Sequence, residues 1–186
     1  RDGSKRFVWT VGSYLIKHAL AQGDGAQRRS LEDAIRRGDV RWHGLACTTH
    51  TELMDEALFR YGLSISKKLD ARFGTDTVAA KMTDVPGHTV AMVPLLREAG
   101  IEYLHIGVNG GSRVPEVPEL FRWRYGQDEV LVHYAGGYGA PTLLPNGVAL
   151  EFCHSFDNAG PPSVEALGAE YRALGARYPN AALEAG

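Results

Sequence analysis

The chain has 186 residues, a net charge of -2 and 44% hydrophobic residues, values typical of a globular protein. Its charges are nearly balanced and form no basic block, so the sequence favours no nucleic acid partner. No apolar run approaches the roughly 20 residues of a spanning helix, so no membrane segment is predicted. Cys47 and Cys153 are expected to be free, buried thiols, because two cysteines do not form a disulfide framework.

Segments with strand-like and helix-like patterns alternate along the chain. Strands are predicted at 7–11, 39–47, 77–82, 103–108, 121–124, 130–134 and 148–153. Helices are predicted at 14–22, 52–72, 89–99 and 163–177. A further helix has Leu31, Ala34 and Ile35 on its apolar face and ends at Gly38. The short turn Gly126-Gln127-Asp128 predicts a β-hairpin between two of the strands. The alternation favours an α/β fold with a largely parallel sheet in a single domain, residues 1–186.

A polar cluster, Thr48-Thr49-His50-Thr51-Glu52, follows the second predicted strand. If this segment is extended, His50 and Glu52 point the same way and can chelate a divalent ion such as Zn²⁺. Alternatively, the Glu52 carboxylate serves as a nucleophile that His50 orients. The structural alternative is that Thr51 caps a helix and Glu52 interacts with its positive end.

A second cluster contains Asp84 and His88, separated by a Pro-Gly turn after the strand 77–82. A tight turn can bring both side chains to the strand end, where β/α barrel enzymes keep their catalytic groups. We predict Asp84 to be catalytic and His88 to bind substrate. The alternative is that Asp84 fixes the loop through backbone N–H groups and that His88 supplies a helix-start hydrogen bond.

Other residues are candidates for contacts with a sugar. Asp157 and Asn158 suit hydroxyl-rich ligands, although the same residues are typical of turns. His43 and Trp42 should face opposite sides of a strand, so that one of them enters the barrel interior. His43 is either a substrate ligand or a hydrogen-bonded core histidine. Tyr138 either stacks on a sugar ring or packs. His105, in the middle of a strand, is expected to be structural.

The order of these motifs resembles the amino-terminal catalytic domain of glycoside hydrolase family 38, which contains zinc-dependent retaining α-mannosidases. The similarity runs from about Phe7 to Pro162. It includes Arg41-Trp42-His43-Gly44-Leu45, and its most specific part is Thr83-Asp84-Val85-Pro86-Gly87-His88, followed by Val93-Pro94-Leu95-Leu96 and Ala99-Gly100-Ile101.

The resemblance implies a seven-stranded β/α barrel with zinc at its carboxyl end. Part of the zinc ligand set would lie in a His-x-Asp strand before Arg1 and in a histidine far downstream. We therefore expect an incomplete barrel whose partners include the remaining domains of the same polypeptide. A complete barrel of eight β/α units takes about 250 residues. The family's nucleophile, an aspartate that also touches zinc, matches Glu52, with His50 two residues earlier.

The implied activity is retaining hydrolysis of a glycosidic bond in a carbohydrate substrate, through two carboxylates and zinc. Glu52 would be nucleophile or zinc ligand, Asp84 a catalytic carboxylate, and Asp157 a candidate acid. One alternative is a metal-dependent hydrolase similar to polysaccharide deacetylases, in which zinc-bound water is the nucleophile. Another is an inactive, carbohydrate-binding relative.

Overall fold

The structure is a computed structural model that describes residues 8–136, 138, 142–143, 149–150 and 163–177. The strands are β1 (Trp9–Gly12), β2 (Val40–His43), β3 (Ala79–Thr83), β4 (Tyr103–Val108), β5 (Leu120–Tyr125), β6 (Asp128–Gly136), β7 (Thr142–Leu143) and β8 (Ala149–Leu150). The helices are α1 (Ser13–Gln22), α2 (Gly25–Arg37), α3 (Glu56–Phe73), α4 (Met92–Glu98) and α5 (Val164–Arg177), with a 3₁₀ turn at Thr51–Leu53.

The strands pair in a mainly parallel arrangement. β1 is parallel to β2, and a second sheet has the order β3-β4-β6-β5, in which only β5 runs antiparallel. Directly after β2, the Gly44 N–H donates to the Ala79 carbonyl at 2.9 Å, so the two sheets lie side by side. The predicted α/β class and the hairpin are confirmed. The number of strands in a closed barrel remains a prediction.

Helices cover one face of the sheets. Met82, Ile106 and Val132 on this face belong to a buried cluster that includes α3 and α4 residues such as Phe59 and Leu96. A second cluster joins α1, α2 and α3 to β2 around a few large side chains, namely Ile16, Ile35, Trp42 and Leu69. Because side chains alternate along a strand, the opposite face is left for the polar side chains of β2, β3, β4 and β6.

The ends of α2 follow directly from its sequence. Asp24 caps the helix by accepting the N–H groups of Ala26 and Gln27, and the Gln27 side chain accepts the Asp24 N–H in return. The helix ends at Gly38, whose φ of 83° lies in the left-handed region that glycine adopts without strain. The positive charges of Arg36 and Arg37 in the last turn interact favourably with the negative end of the helix dipole.

Two predicted boundaries differ from the structure by four residues. β2 ends at His43 rather than at residue 47, because the carbonyls of Leu45 and Ala46 accept the first two N–H groups of α1 instead of pairing with a strand. α3 begins at Glu56 rather than at residue 52, because the Asp55 side chain caps it by accepting the Leu58 N–H at 2.7 Å.

Other predictions on the fold have mixed outcomes. The predicted strand 148–153 lies outside the described residues except for β8. Cys47 is exposed rather than buried, since it lies on the loop beyond the shortened β2. No helix in the described part of the chain is long and apolar enough to cross a membrane.

Candidate functional site

Three parallel strands, β3, β4 and β6, and the loop after β2 bring several predicted site residues to one edge of the fold. The loop after β2 carries His50, the loop after β3 carries Asp84 and His88, and Tyr138 follows β6. The loop after β2 runs along β3, since Gly44 bonds to Ala79 at the start of β3 and Thr48 lies beside Thr83 at its end. Two of the three predicted polar clusters therefore reach this edge. The third, with Asp157 and Asn158, lies outside the described residues.

Asp84 is the most firmly oriented carboxylate at this edge. Its φ is 70°, a left-handed conformation that aspartate tolerates better than most residues. Its N–H donates to the Gly107 carbonyl at 2.9 Å, and its carbonyl accepts from Asn109 Nδ2 at 3.4 Å. Its carboxylate accepts a hydrogen bond from the Tyr138 hydroxyl. Two hydrogen bonds thus fix the backbone of Asp84, and one from Tyr138 orients its exposed carboxylate.

Tyr138 lies close against β4. Its N–H donates to the Val108 carbonyl at 3.0 Å, and its φ of 70° is also in the left-handed region. A Cβ on Gly107 would lie 2.7 Å from the Tyr138 carbonyl oxygen, so a residue without a side chain is required there. The Tyr138 hydroxyl is engaged with Asp84; its predicted stacking on a sugar ring stays a prediction.

His88 is held by a residue that our sequence analysis treated only as a possible helix cap. The buried Thr51 hydroxyl accepts the Thr89 N–H at 3.1 Å and lies 3.2 Å from His88 Nδ1. Burial, with a smaller effect of His50, lowers the pKa of His88 to about 4, so this imidazole is neutral at pH 7. Its Nε2 is buried and has no hydrogen-bond partner among the described residues.

The loop between β3 and α4 is also fixed from β6. The hydroxyl of Tyr134 donates to the Pro86 carbonyl at 2.7 Å, so Tyr134 anchors the turn between Asp84 and His88. The sequence signals this role only weakly, as a tyrosine near the end of an apolar strand. Asn109 was likewise missed, although it directly follows β4 at the functional edge.

His43 lines a cleft beside this site. Trp42 packs against the helices, so His43 points to the other face, as the alternation predicts. Burial, with a smaller effect of Lys81, lowers the pKa of His43 to about 4. The cleft has a volume of about 420 Å³ and is lined by Gly12, Tyr14, Leu15, His18, His43, Ala46, Cys47 and Thr48. Thr48 Oγ1 lies 3.2 Å from Oγ1 of Thr83, the residue before Asp84.

His50 and Glu52 do not lie on an extended segment, and this premise of the sequence analysis is wrong. Thr51–Leu53 forms a 3₁₀ turn, so the argument that residues two apart share a face does not apply. The predicted Thr51 cap is also absent: His50 precedes the turn without a side-chain cap, and the Thr51 hydroxyl contacts the neighbouring loop instead. Metal chelation by His50 and Glu52 stays a prediction.

Comparisons with known proteins leave the family open. No protein-family model matches the chain, and no curated protein matches it. Among solved structures, the chain is similar to a 4-alpha-glucanotransferase from Thermococcus litoralis at 16% identity and a TM-score of 0.48. The match covers 72% of this chain and 22% of that enzyme, so the chain spans about a fifth of its length. A likeness this distant leaves the function unassigned, and membership of glycoside hydrolase family 38 stays a prediction.

Proposed function

We propose that this chain carries part of the active site of a carbohydrate-active hydrolase, with Asp84 as its central carboxylate. The observation that carries the proposal is the fixed orientation of Asp84 at the carboxyl edge of the sheet, with its carboxylate bound by Tyr138. Positioned groups lower a reaction barrier because they need little rearrangement during the reaction. A substrate of the glycoside class, α-mannosides included, follows from the sequence resemblance.

The surroundings of Asp84 suit a neutral, hydroxyl-rich ligand. Neutral imidazoles both donate and accept hydrogen bonds, and burial keeps His43 and His88 neutral at pH 7. The hydroxyls of Thr48 and Thr83 add two more donor and acceptor groups at the same edge. We therefore include His43, which lines the cleft, in the proposed substrate contacts. His88 remains a proposed substrate contact from the sequence alone, since its Nδ1 meets Thr51 and its Nε2 is buried. Asp157, Asn158 and the Tyr138 ring remain in the proposal from the sequence alone.

The reaction we propose is retaining glycoside hydrolysis. The Asp84 carboxylate attacks the anomeric carbon as the glycosidic C–O bond breaks, and a second carboxyl group protonates the leaving oxygen; water then cleaves the glycosyl ester. Asp84 suits the nucleophile better than Glu52, because no hydrogen bond within the described residues fixes the exposed Glu52 carboxylate. Glu52 and Asp157 are the candidates for the acid.

Zinc is part of the proposal only through the sequence resemblance. In the described part of the chain, no three His, Cys, Asp or Glu side chains are arranged to hold a metal ion. We therefore assign no reaction step to zinc. Metal analysis of the full-length protein, with activity measured before and after chelation, tests whether zinc is required.

The proposal is tested with the full-length protein and a panel of aryl glycosides, with release of acetate from acetylated sugars measured in parallel. We expect Asp84→Asn to lower kcat by about 1,000-fold or more. The control is Asp33→Asn, an exposed α2 carboxylate whose loss should leave kcat unchanged. Normal glycoside turnover by Asp84→Asn, or acetate release as the sole activity, would overturn the proposal.

The acid is identified with leaving groups of different acidity. A variant that lacks the acid turns over glycosides of acidic phenols almost normally and glycosides of weakly acidic alcohols poorly, since only the latter need protonation of the leaving oxygen. We expect this split in either Glu52→Gln or Asp157→Asn. A uniform loss for both classes of leaving group in Glu52→Gln would instead indicate that Glu52 is the nucleophile.

A further inference from the structure

A pair of buried histidines lies behind Tyr138, on the sheet face that the helices do not cover. His105 on β4 is the register partner of His133 on β6, and the two side chains are 1% and 0% exposed. Their Nδ1 atoms are 3.3 Å apart. His105 Nε2 lies 3.2 Å from the carbonyl oxygen of Tyr138. These contacts join the pair to the residue that binds the Asp84 carboxylate.

The contacts fix the proton positions on both rings. A carbonyl oxygen only accepts, so His105 Nε2–H must donate to Tyr138. A neutral His105 then has a bare Nδ1, so His133 Nδ1–H must donate to it. The arrangement therefore requires one tautomer of each ring, with the proton on Nε2 of His105 and on Nδ1 of His133.

The environment keeps both rings neutral. Burial lowers the pKa of His105 to about 4, with a further contribution from the neighbouring His133. Burial also lowers the pKa of His133, while Glu119 has a smaller opposite effect. Lys81 is the register partner of His105 on β3, and its charge also opposes protonation of His105. A proton on His105 Nδ1 would face the His133 Nδ1–H across 3.3 Å, which removes the hydrogen bond.

We propose that His105 and His133 are positioning residues, which hold the Tyr138 backbone and through it orient the Asp84 carboxylate. This inference rests on the proposed function for its effect on catalysis. A merely structural histidine pair would contribute stability without controlling the site. The path here is specific: His133 fixes the His105 tautomer, His105 holds the Tyr138 carbonyl, and the Tyr138 hydroxyl holds Asp84.

The first experiment measures the tautomers directly, without any substrate. Long-range proton–nitrogen NMR of the ¹⁵N-labelled full-length protein distinguishes a protonated from a bare ring nitrogen. We expect protons on Nε2 of His105 and on Nδ1 of His133 at pH 7. The opposite tautomer on His105, or a charged ring at this pH, would overturn the inference whether or not the protein is a glycosidase.

The second experiment compares three variants. His105→Leu removes the donor to Tyr138, His105→Gln retains an amide N–H in its place, and Val132→Ala weakens the helix-covered face of the adjacent strand without touching the pair. We expect His105→Leu to lower kcat by about 10-fold or more with little change in KM, and His105→Gln to retain most of kcat. Val132→Ala should keep the wild-type kcat.

The ¹³Cζ resonance of Tyr138 provides a readout that needs no turnover. It should shift in His105→Leu in the same direction as in Asp84→Asn, because both changes remove the hydrogen bond between the Tyr138 hydroxyl and the carboxylate. An unchanged resonance in His105→Leu, or an equal kcat loss in Val132→Ala, would overturn the inference. Full activity in Asp84→Asn would instead overturn the proposed function, while the resonance would still decide the positioning role.

Discussion

The hydroxyl of Thr51 joins two loops by meeting His88: its Oγ1 lies 3.2 Å from His88 Nδ1 and accepts the neighbouring Thr89 N–H at 3.1 Å. Thr51 is 3% exposed, so water does not replace these contacts when the hydroxyl is lost. The loop after β2 and the loop after β3 are thus tied together at the edge where the candidate site lies.

Replacement of Thr51 by valine should therefore destabilise the fold. The change keeps the side-chain shape but leaves the Thr89 N–H and one His88 nitrogen without a partner, which costs about 1–3 kcal/mol. Urea unfolding measures the loss. Thr48→Val is the control, since its hydroxyl pairs with Thr83 in an exposed position and its loss should cost well under about 1 kcal/mol. Equal effects of the two substitutions would contradict the bridging role of Thr51.

Substitution of Gly107 tests whether the close approach of the Tyr138 backbone to β4 contributes to stability and activity. In Gly107→Ala, the new Cβ would lie 2.7 Å from the Tyr138 carbonyl oxygen and 3.0 Å from its Cα, so the backbone at Tyr138 must move. We expect a loss of about 1–3 kcal/mol in unfolding free energy and a fall in glycosidase activity. Gly110→Ala is the matched control, because a Cβ there meets nothing within 4 Å. A stable, fully active Gly107→Ala would exclude this steric constraint.

The sequence predicts the order of elements well because their signals are local. Helix caps such as Asp24 and Gly38 and the alternation of β3 are visible within a few residues. The functional edge is also predictable, since parallel strands end together. Long-range contacts are not: Thr51 meets His88 across 37 positions, and His105 meets His133 across 28. Thr51, in the 3₁₀ turn Thr51–Leu53, makes one of these contacts, and because of this turn His50 and Glu52 do not lie on the extended segment that the sequence predicts.

Acidification below about pH 6.5, the ordinary pKa of histidine, should destabilise the folded protein. His43, His88 and His105 have folded-state pKa values of about 4, whereas an unfolded histidine titrates near 6.5. Between these values the unfolded state binds more protons, so stability is complete above about pH 6.5 and is lost as the pH falls toward 4. For the buried His105 alone, the full loss is up to about 3 kcal/mol.

Urea unfolding at pH 7.0, 6.0 and 5.0 measures this dependence. His43→Gln is the informative variant, because it removes one titrating imidazole from the lining of the cleft. Its stability should decline less steeply with pH than that of the wild type, by up to about 1.4 kcal/mol per pH unit. Parallel stability curves for the two proteins would show that His43 is not held neutral by the fold.

Tyr138→Phe separates the orientation of Asp84 from the presence of its carboxylate. The phenyl ring keeps the volume of the side chain, while the hydrogen bond to the carboxylate is lost. A hydrogen bond to a charged group contributes about 1.5–3 kcal/mol, so kcat should fall by about 10- to 100-fold if Asp84 is the nucleophile. The loss should be smaller than in Asp84→Asn. Tyr125→Phe, at an exposed position on β5, serves as the control and should leave kcat unchanged. Wild-type kcat in Tyr138→Phe would mean that the hydroxyl does not orient a reacting carboxylate.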